Sequence, residues 1–463
     1  MAHDEFWHAY PKHYRAKEME TIAKWVATGD SGSVVGLIGC GRTHLLGYLC
    51  NHPKALKQYL PSHIQDVIAI PVDLYNLPNN DLSSLYRTIL HAFYWISDRF
   101  KPERQQTIRD FYLENRAEQD PFLPQMALYD LLRLFQEDHI RIILVFNRFD
   151  RFCETATPQM ANTLRGLRDS FRETLSYVMG MLKDVIYLSD PAQLGDLYEL
   201  LVGRVCWVGR LNDTDARLML DREFREVLHK PNEQQIDKMI ELSGGFPSLL
   251  KGVAQWWLLY ASSQLPTSDW HNILIQEPSI RFRLERIWQG LTQEEQYLLK
   301  KIQVHQLDSE DEEKPLKSQR KQVLSQLEAK GLCVEKGAQW SLEGTLLTLL
   351  IAHSADLGRG RIWLDEKMRS IIQDDEEIEL APMEFNALRF FIKHPHAKHT
   401  VDKVIDNTWP EEEYREGITN NALHVQIRNI RRKIEPDPSN PKYLITWHGR
   451  PGGYIFYPEG KPV

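Results

Sequence analysis

GITNNALHVQIRNIRRKIEPDPSNPKYLITWHGRPGGYIFY, from Gly417 to Tyr457, changes its periodicity twice. In its first part Leu423, Ile427, Ile430 and Ile434 recur at steps of four, three and four, which puts them on one face of a helix. The opposite face collects Asn421, His424, Val425, Arg428 and Arg432, with Arg431 on the flank, and no carboxylate falls between Gly417 and Ile434. One sealed face and one basic, amide-bearing face suit a helix that lies against a polyanion. Arginine supplies phosphate contacts, while Asn, Arg and an exposed Val can address base edges and thymine methyls. The competing reading is an amphipathic surface helix with a solvated basic face.

The residues after Ile434 bear on that choice. Pro436, Pro438 and Pro441 end the helix, and Asp437 to Asn440 is turn chemistry. Tyr443–Trp447 and Tyr454–Tyr457 then read as two strands around a tip that carries Arg450. Helix, proline-rich loop and hairpin together make the layout of a winged helix, whose wing can place Arg450 in a minor groove. The run Leu423-His-Val-Gln-Ile427, Ile430-Arg-Arg-Lys-Ile-Glu-Pro436 and Thr446 through Phe456 resembles the C-terminal effector domain of OmpR/PhoB-type response regulators. Trp447-His448 and the extra Pro451-Gly452 depart from that pattern at the wing tip. Leu380 to Phe391 fits the first helix of that domain, and Thr400 to Trp409 the second, with Thr400 as N-cap. Ile362–Asp365 and Met368–Leu380 are expected to form its small N-terminal sheet.

The bulk numbers limit the remaining choices. At 463 residues the chain has room for two to four domains. Hydrophobic content of 42% and charged content of 26% are ordinary for a globular protein, and no apolar run approaches the length of a bilayer span. Five cysteines, scattered and without C-x-x-C pairs, speak for a reducing cytosol and against zinc or a disulfide framework. A cytoplasmic protein with no membrane partner is therefore expected. A net charge of −8 means that any nucleic-acid contact must be local.

A second chemical signal lies near the N-terminus. Ser31–Val35 runs into Gly36-Leu-Ile-Gly39-Cys-Gly41-Arg42-Thr43 and then a helix-like stretch. Strand, glycine loop and helix in that order make a phosphate-binding loop, with Arg42 where lysine is usual. Glycines let backbone N–H groups turn inward, and the helix start adds positive potential. Thr43 is the residue that would hold Mg²⁺. Val67–Leu74 and Arg141–Asp150 read as further buried strands, with Leu82–Phe100 a long amphipathic helix between them. The strand at 141–150 carries Asn147 where such loops are partnered by an acid, and Asp150 follows three places on. An amide lacks the charge that binds Mg²⁺ or orders an attacking water, so efficient hydrolysis is not expected. ATP or ADP bound without turnover and an empty structural fold both stay open, with Mg²⁺ lacking its usual carboxylate.

Tyr177–Met181 continuing to Val185–Asp190, and then Val205–Leu211, add the next expected strands. Helical sequence runs from Asn212 to about Leu274, broken at Ser243–Pro247. Tyr14-Arg15, residues 36–43 and 141–150, Gly209-Arg-Leu211 and Gly245-Phe-Pro247 resemble the nucleotide-binding and lid module of STAND/AAA+ signalling ATPases. That resemblance implies that Pro247 packs beside the adenine. Residues 281–354, with a hairpin at 331–342, resemble the winged helix that follows the lid in STAND proteins, and an interdomain packing role is favoured for it.

The expected architecture is thus an α/β P-loop NTPase core with a parallel sheet (1–211), a helical lid (212–280) and two winged-helix α+β domains (281–354 and 355–463). The expected nucleotide site comprises Gly36, Gly39, Gly41, Arg42, Thr43, Asp150 and Pro247. The expected DNA-binding residues are Asn421, His424, Val425, Arg428, Arg431, Arg432 and Arg450. The leading function is a regulator that binds double-stranded DNA as a homo-oligomer, under control of the nucleotide module or of a protein partner. The alternatives are a DNA-stimulated ATPase and a nucleotide-free interaction scaffold.

Overall fold

Apolar runs that alternate with amphipathic stretches favour parallel strands joined by helical crossovers. The computed structural model describes residues 6–461 apart from 53, 65, 75–76, 189–190, 261–265, 304–315, 338, 356–361, 366–369, 374–375, 410–419, 448–451 and 459. Contacts divide the chain into two compact units. The first holds residues 1–290 with 326–332 and 344–346; the second holds 291–325, 333–343 and 347–463.

In the first unit the order is α1 (Ala16–Ala27), β1 (Gly32–Val35), α2 (Arg42–Asn51), β2 (Val67–Val72), α3 (Leu82–Trp95), α4 (Pro102–Asn115), α5 (Phe122–Glu137), β3 (Arg141–Phe146), α6 (Phe149–Thr155), α7 (Pro158–Ser170), β4 (Leu175–Met181), α8 (Leu197–Gly203) and β5 (Val205–Trp207). The five strands pair in the order β2-β3-β4-β1-β5, all parallel. Every residue of β1 and β4 is buried, and all but the first of β3, as sheets covered on both faces require. Each fully buried Ile, Leu or Phe of this core contributes roughly 1.5–3 kcal/mol of transfer free energy. Register sets Val35 beside Met181 and Phe146 beside Met179, so the carboxyl ends of β1, β4 and β3 lie side by side. From β1 the chain crosses to the far edge, whereas from β4 it returns to β5. Such a reversal of strand order opens a crevice at the carboxyl ends.

Several expected elements differ. The strand expected over 141–150 ends at Phe146, and Asp150 stands in the first turn of the helix Phe149–Thr155. The helix beginning at Leu82 stops at Trp95 and gives way to a 3-10 turn, Ser97–Arg99, in which Ser97 O accepts the Phe100 N–H. Val185–Tyr187, expected as strand, is also a 3-10 turn, because the Asp184 carboxylate accepts the Ile186 N–H and closes the backbone locally. A run of helices follows: α9 (Asp213–Glu223), α10 (Glu233–Ser243), α11 (Pro247–Tyr260), α12 (Trp270–Leu274) and α13 (Pro278–Gln289). Its break before Pro247 is as expected. A further gap separates α9 from α10, which opens on an Asn232–Gln235 capping box.

Then come α14 (Gln293–Gln303), α15 (Leu316–Ala329), the antiparallel hairpin β6 (Cys333–Lys336) and β7 (Gln339–Leu342), and α16 (Thr345–Ala355). The second unit continues with β8 (Ile362–Asp365), β9 (Ser370–Gln373) and β10 (Glu376–Glu377), a three-stranded antiparallel sheet. After it stand α17 (Pro382–Lys393), β11 (His399–Thr400), α18 (Val401–Thr408), α19 (Asn420–Ile434), β12 (Leu444–Trp447) and β13 (Gly453–Phe456). Ala381 has no capping side chain, and its own N–H is taken up by the Glu384 carboxylate. Thr400 caps α18 by accepting the Lys403 N–H at 3.3 Å. The strands order as β11-β13-β12, and Gly453 lies so close to the His399 carbonyl that a Cβ there would sit 1.9 Å from its oxygen. Only glycine allows that pairing. Among the described residues no helix is long and apolar enough to cross a membrane.

Candidate nucleic-acid interface and phosphate-binding loop

Helix α19 carries its inner face as the periodicity predicts: Leu423, Ile427, Ile430 and Ile434 are buried in one core with Leu388, Phe391, Tyr443 and Phe456. On the outer side His424, Val425, Arg428 and Arg432 are exposed. Asn421 lies in the first turn, its side chain outside the described set, and Arg450 falls outside the described residues. Arg431 differs from its outward-facing neighbours. Its Nε–H donates to Leu444 O at 2.9 Å and its Nη2–H to Thr446 Oγ1 at 2.8 Å. The guanidinium expected on DNA is therefore a brace between helix and wing, and burial lowers its pKa. His424 Nδ1 and the Tyr454 hydroxyl, 2.6 Å apart, form a second brace.

Sequence reasoning passes over the residue that fixes the loop between helix and wing. Glu435 is buried, and its carboxylate accepts the N–H groups of Lys442, Tyr443 and Leu444 at 2.6–3.0 Å. Its place directly after α19, ahead of three prolines, is the one signal available. Lys433 extends the same frame toward α17, donating to Glu384 and to Glu379 O, both at 2.7 Å.

In the first unit the loop after β1 turns at Gly39 and Gly41, with φ of 88° and 85°, where a side chain would be strained. Helix α11 grips it: Ser248 N–H donates to Gly39 O at 3.0 Å, and Pro247 lies 3.3 Å from where a Gly41 Cβ would stand. Helix α2 starts at Arg42, and the N–H groups of a first helical turn have no acceptor within the helix. They lie at a cavity of about 990 Å³ lined by the loop, by Tyr10 and His44, and by Arg222, Lys251 and Pro247 of α9 and α11. Gly39, Gly41, Arg42, Thr43 and Pro247 all line it; Gly36 and Asp150 do not. Arg42 is 7% exposed, and its Nε and Nη1 have no acceptor among the described residues. Burial lowers its pKa, and the nearby charge of Asp150 works the other way. Asp150, also buried, has its pKa raised by burial.

The cavity's walls are not legible in the sequence. Arg222 sits 3.6 Å over the Tyr10 ring and donates to Phe6 O. His44 has its pKa lowered to about 4 by burial and by the charges of Arg222, Arg15 and Lys251, so it is neutral near pH 7. Arg15 stands behind the loop. Buried and in the left-handed conformation, it donates to Glu18, Gly209 O, Arg210 O and Cys40 O, while its own N–H reaches Asp215 on α9. N-terminal segment, loop and α9 thus meet on one residue.

Residues 375–456 match the family described as "Transcriptional regulatory protein, C terminal". The chain is 34% identical over 91 residues to the transcriptional regulatory protein YvrH of Bacillus subtilis, covering 20% of this chain and 37% of that protein. It is 37% identical over 79 residues to the alkaline phosphatase synthesis transcriptional regulatory protein SphR of Synechococcus elongatus, covering 17% and 30%. The chain therefore spans about a third of the length of these curated relatives. Among solved structures it is similar to the Walker-type ATPase PABY2304 of Pyrococcus abyssi, at 15% identity and a TM-score of 0.42, over 75% of this chain and 99% of that one. The Aeropyrum pernix ORC2 protein, in ADPNP–ADP complexes, gives 11% identity, a TM-score of 0.39 and coverage of 74% and 94%. The strand order with its glycine loop and the C-terminal family match define the class: a P-loop-type α/β core joined to an OmpR/PhoB-type winged helix.

Proposed function

We propose that this chain is a transcriptional regulator whose helix α19 reads double-stranded DNA while the P-loop unit, holding ATP or ADP, controls its conformation or oligomeric state. The observation that carries the reading is the division of α19 into a sealed face and an outer face of His424, Val425, Arg428 and Arg432. A helix of that kind, braced by a hairpin, suits a major groove. Arg432 would serve phosphate, Arg428 and Asn421 base edges, and Arg450 the neighbouring minor groove. One such helix reads only a few base pairs, which favours paired copies on repeated half-sites. Residues 281–354 act in this scheme as a winged-helix-like packing module.

The fit of a nucleotide rests on the buried, unpartnered Arg42 nitrogens and on a loop with no room for side chains. When bound, the nucleotide supplies the negative charge that the loop and lid cations share. Gly39, Gly41 and Thr43 would cradle phosphate, Pro247 would close over it, and the charge of Asp150 would favour the charged Arg42. The test of the DNA reading is fluorescence anisotropy on duplexes selected from a random pool. Arg432→Ala should weaken binding to every duplex and flatten the salt dependence by about one unit of slope. Unchanged affinity and slope would remove α19 from the interface.

A further inference from the structure

We propose that the P-loop cavity binds a nucleoside di- or triphosphate without a divalent cation, its charge being met by arginine, lysine and backbone N–H groups. This rests on the nucleotide reading above and adds to it the identity of the bound species. Mg²⁺ requires near-octahedral oxygen donors and is commonly held through carboxylates. Here the end of β3 delivers an amide instead. Asn147 Nδ2–H donates to Thr43 Oγ1 at 3.5 Å, while Asn147 Oδ1 accepts the Arg148 N–H at 3.1 Å. The second bond fixes which end of the amide faces Thr43, and that end is a donor. A cation beside the Thr43 hydroxyl would meet the N–H end of Asn147 where a carboxylate would have offered lone pairs.

Asp150, the carboxylate nearest in sequence to Asn147, does not compensate. Asp150 is 8% exposed, its Oδ1 is buried, and its charge is felt by Arg42. Among the described residues no cluster of three or more His, Cys, Asp or Glu side chains is placed to hold an ion. Positive charge is supplied by the protein itself: Arg42 from the loop, with Arg222, Arg225, Lys251 and Arg283 from the helical region after β5, against Glu223 and Glu226. The Lys251–Glu223 pair, at 3.2 Å, offsets one of these, and an excess of cations is left on the cavity wall.

The experiment is calorimetric titration of the nucleotide-stripped full chain with ADP and with ATP, in excess magnesium chloride and in excess EDTA. Dissociation constants that agree within about threefold between the two buffers support the proposal. Binding in magnesium that is lost in EDTA overturns it and leaves the nucleotide reading standing. No binding in either buffer removes that reading as well. In Asn147→Asp the returned carboxylate should make magnesium tighten ATP binding by about tenfold. A variant indifferent to magnesium would count against Asn147 as the determinant. The comparison on the unaltered chain holds whether or not that variant folds.

Discussion

On α19 the side chains offered to a partner stand on the outside of an element whose inner face is sealed. In the P-loop core the cavity is lined by the glycine loop together with cationic side chains, and Arg42 and Arg15, which shape the loop, are buried. The first arrangement tolerates changes at single contact residues, because removing an exposed arginine leaves the core intact. The second ties the loop to the fold, since Arg15 and Arg42 are both buried. Substitutions should therefore act on affinity in one region and on stability in the other.

The largest effect is expected at Arg15. Arg15→Ala leaves the buried Glu18 carboxylate and three carbonyls without their donor, although Asp215 keeps the residue-15 N–H. Breaking a buried pair by removing one partner costs about 3–5 kcal/mol. Urea denaturation should show that loss in the transition of the P-loop unit while the winged helix melts as before. A loss confined to the winged helix would break the comparison.

Next comes Glu435, the exception within the winged helix, where a buried side chain holds the frame. Glu435→Ala strands the N–H groups of Lys442, Tyr443 and Leu444, a loss of about 2–3 kcal/mol. The wing should then loosen from α19, with faster amide exchange in β12 and weaker binding to all duplexes. Wild-type exchange in β12 would show that the proline-rich loop holds itself. Arg428→Ala is expected to be smaller and different in kind: unchanged stability, and a loss of about 1–3 kcal/mol at particular base pairs only. Equal losses on every duplex would make Arg428 a phosphate contact.

Sequence and structure agree where a signal is periodic or local. The buried stripe from Leu423 to Ile434, the glycine loop and the Thr400 cap all depend on neighbours within a few residues. Arg431 and Val185–Tyr187 depart from the sequence reading because the deciding partner is either farther along the chain or a competing side chain. For Arg431 it is Leu444 and Thr446 of the wing; for Val185–Tyr187 it is the Asp184 carboxylate. The same cause hides the partners of Arg15, singled out in the sequence beside Tyr14, since its acceptors lie as far away as Arg210. Helical pattern says which face of α19 is outward, but not which arginine on its flank a later strand will claim.

The smallest predicted effect tests whether the frame behind α19 is electrostatic. Burial alone would raise the pKa of Glu384, but the Lys433 ammonium and the Ala381 N–H outweigh it, so the folded value lies below the ordinary 4.5. A carboxylate with a depressed folded pKa adds stability that is complete above its unfolded value. That stability is lost as pH falls through the folded one. At neutral pH the contribution should stay below about 1 kcal/mol, because the Lys433 side chain is 37% exposed and solvent screens the pair. Denaturation of the chain and of Glu384→Gln from neutral pH downward should give curves that converge in acid, the variant being the flatter. Parallel curves would mean that Glu384 acts as a neutral hydrogen-bond acceptor for the Ala381 N–H, and that α17 and α19 are held together by packing of Leu388 and Phe391 against Ile427 and Ile430.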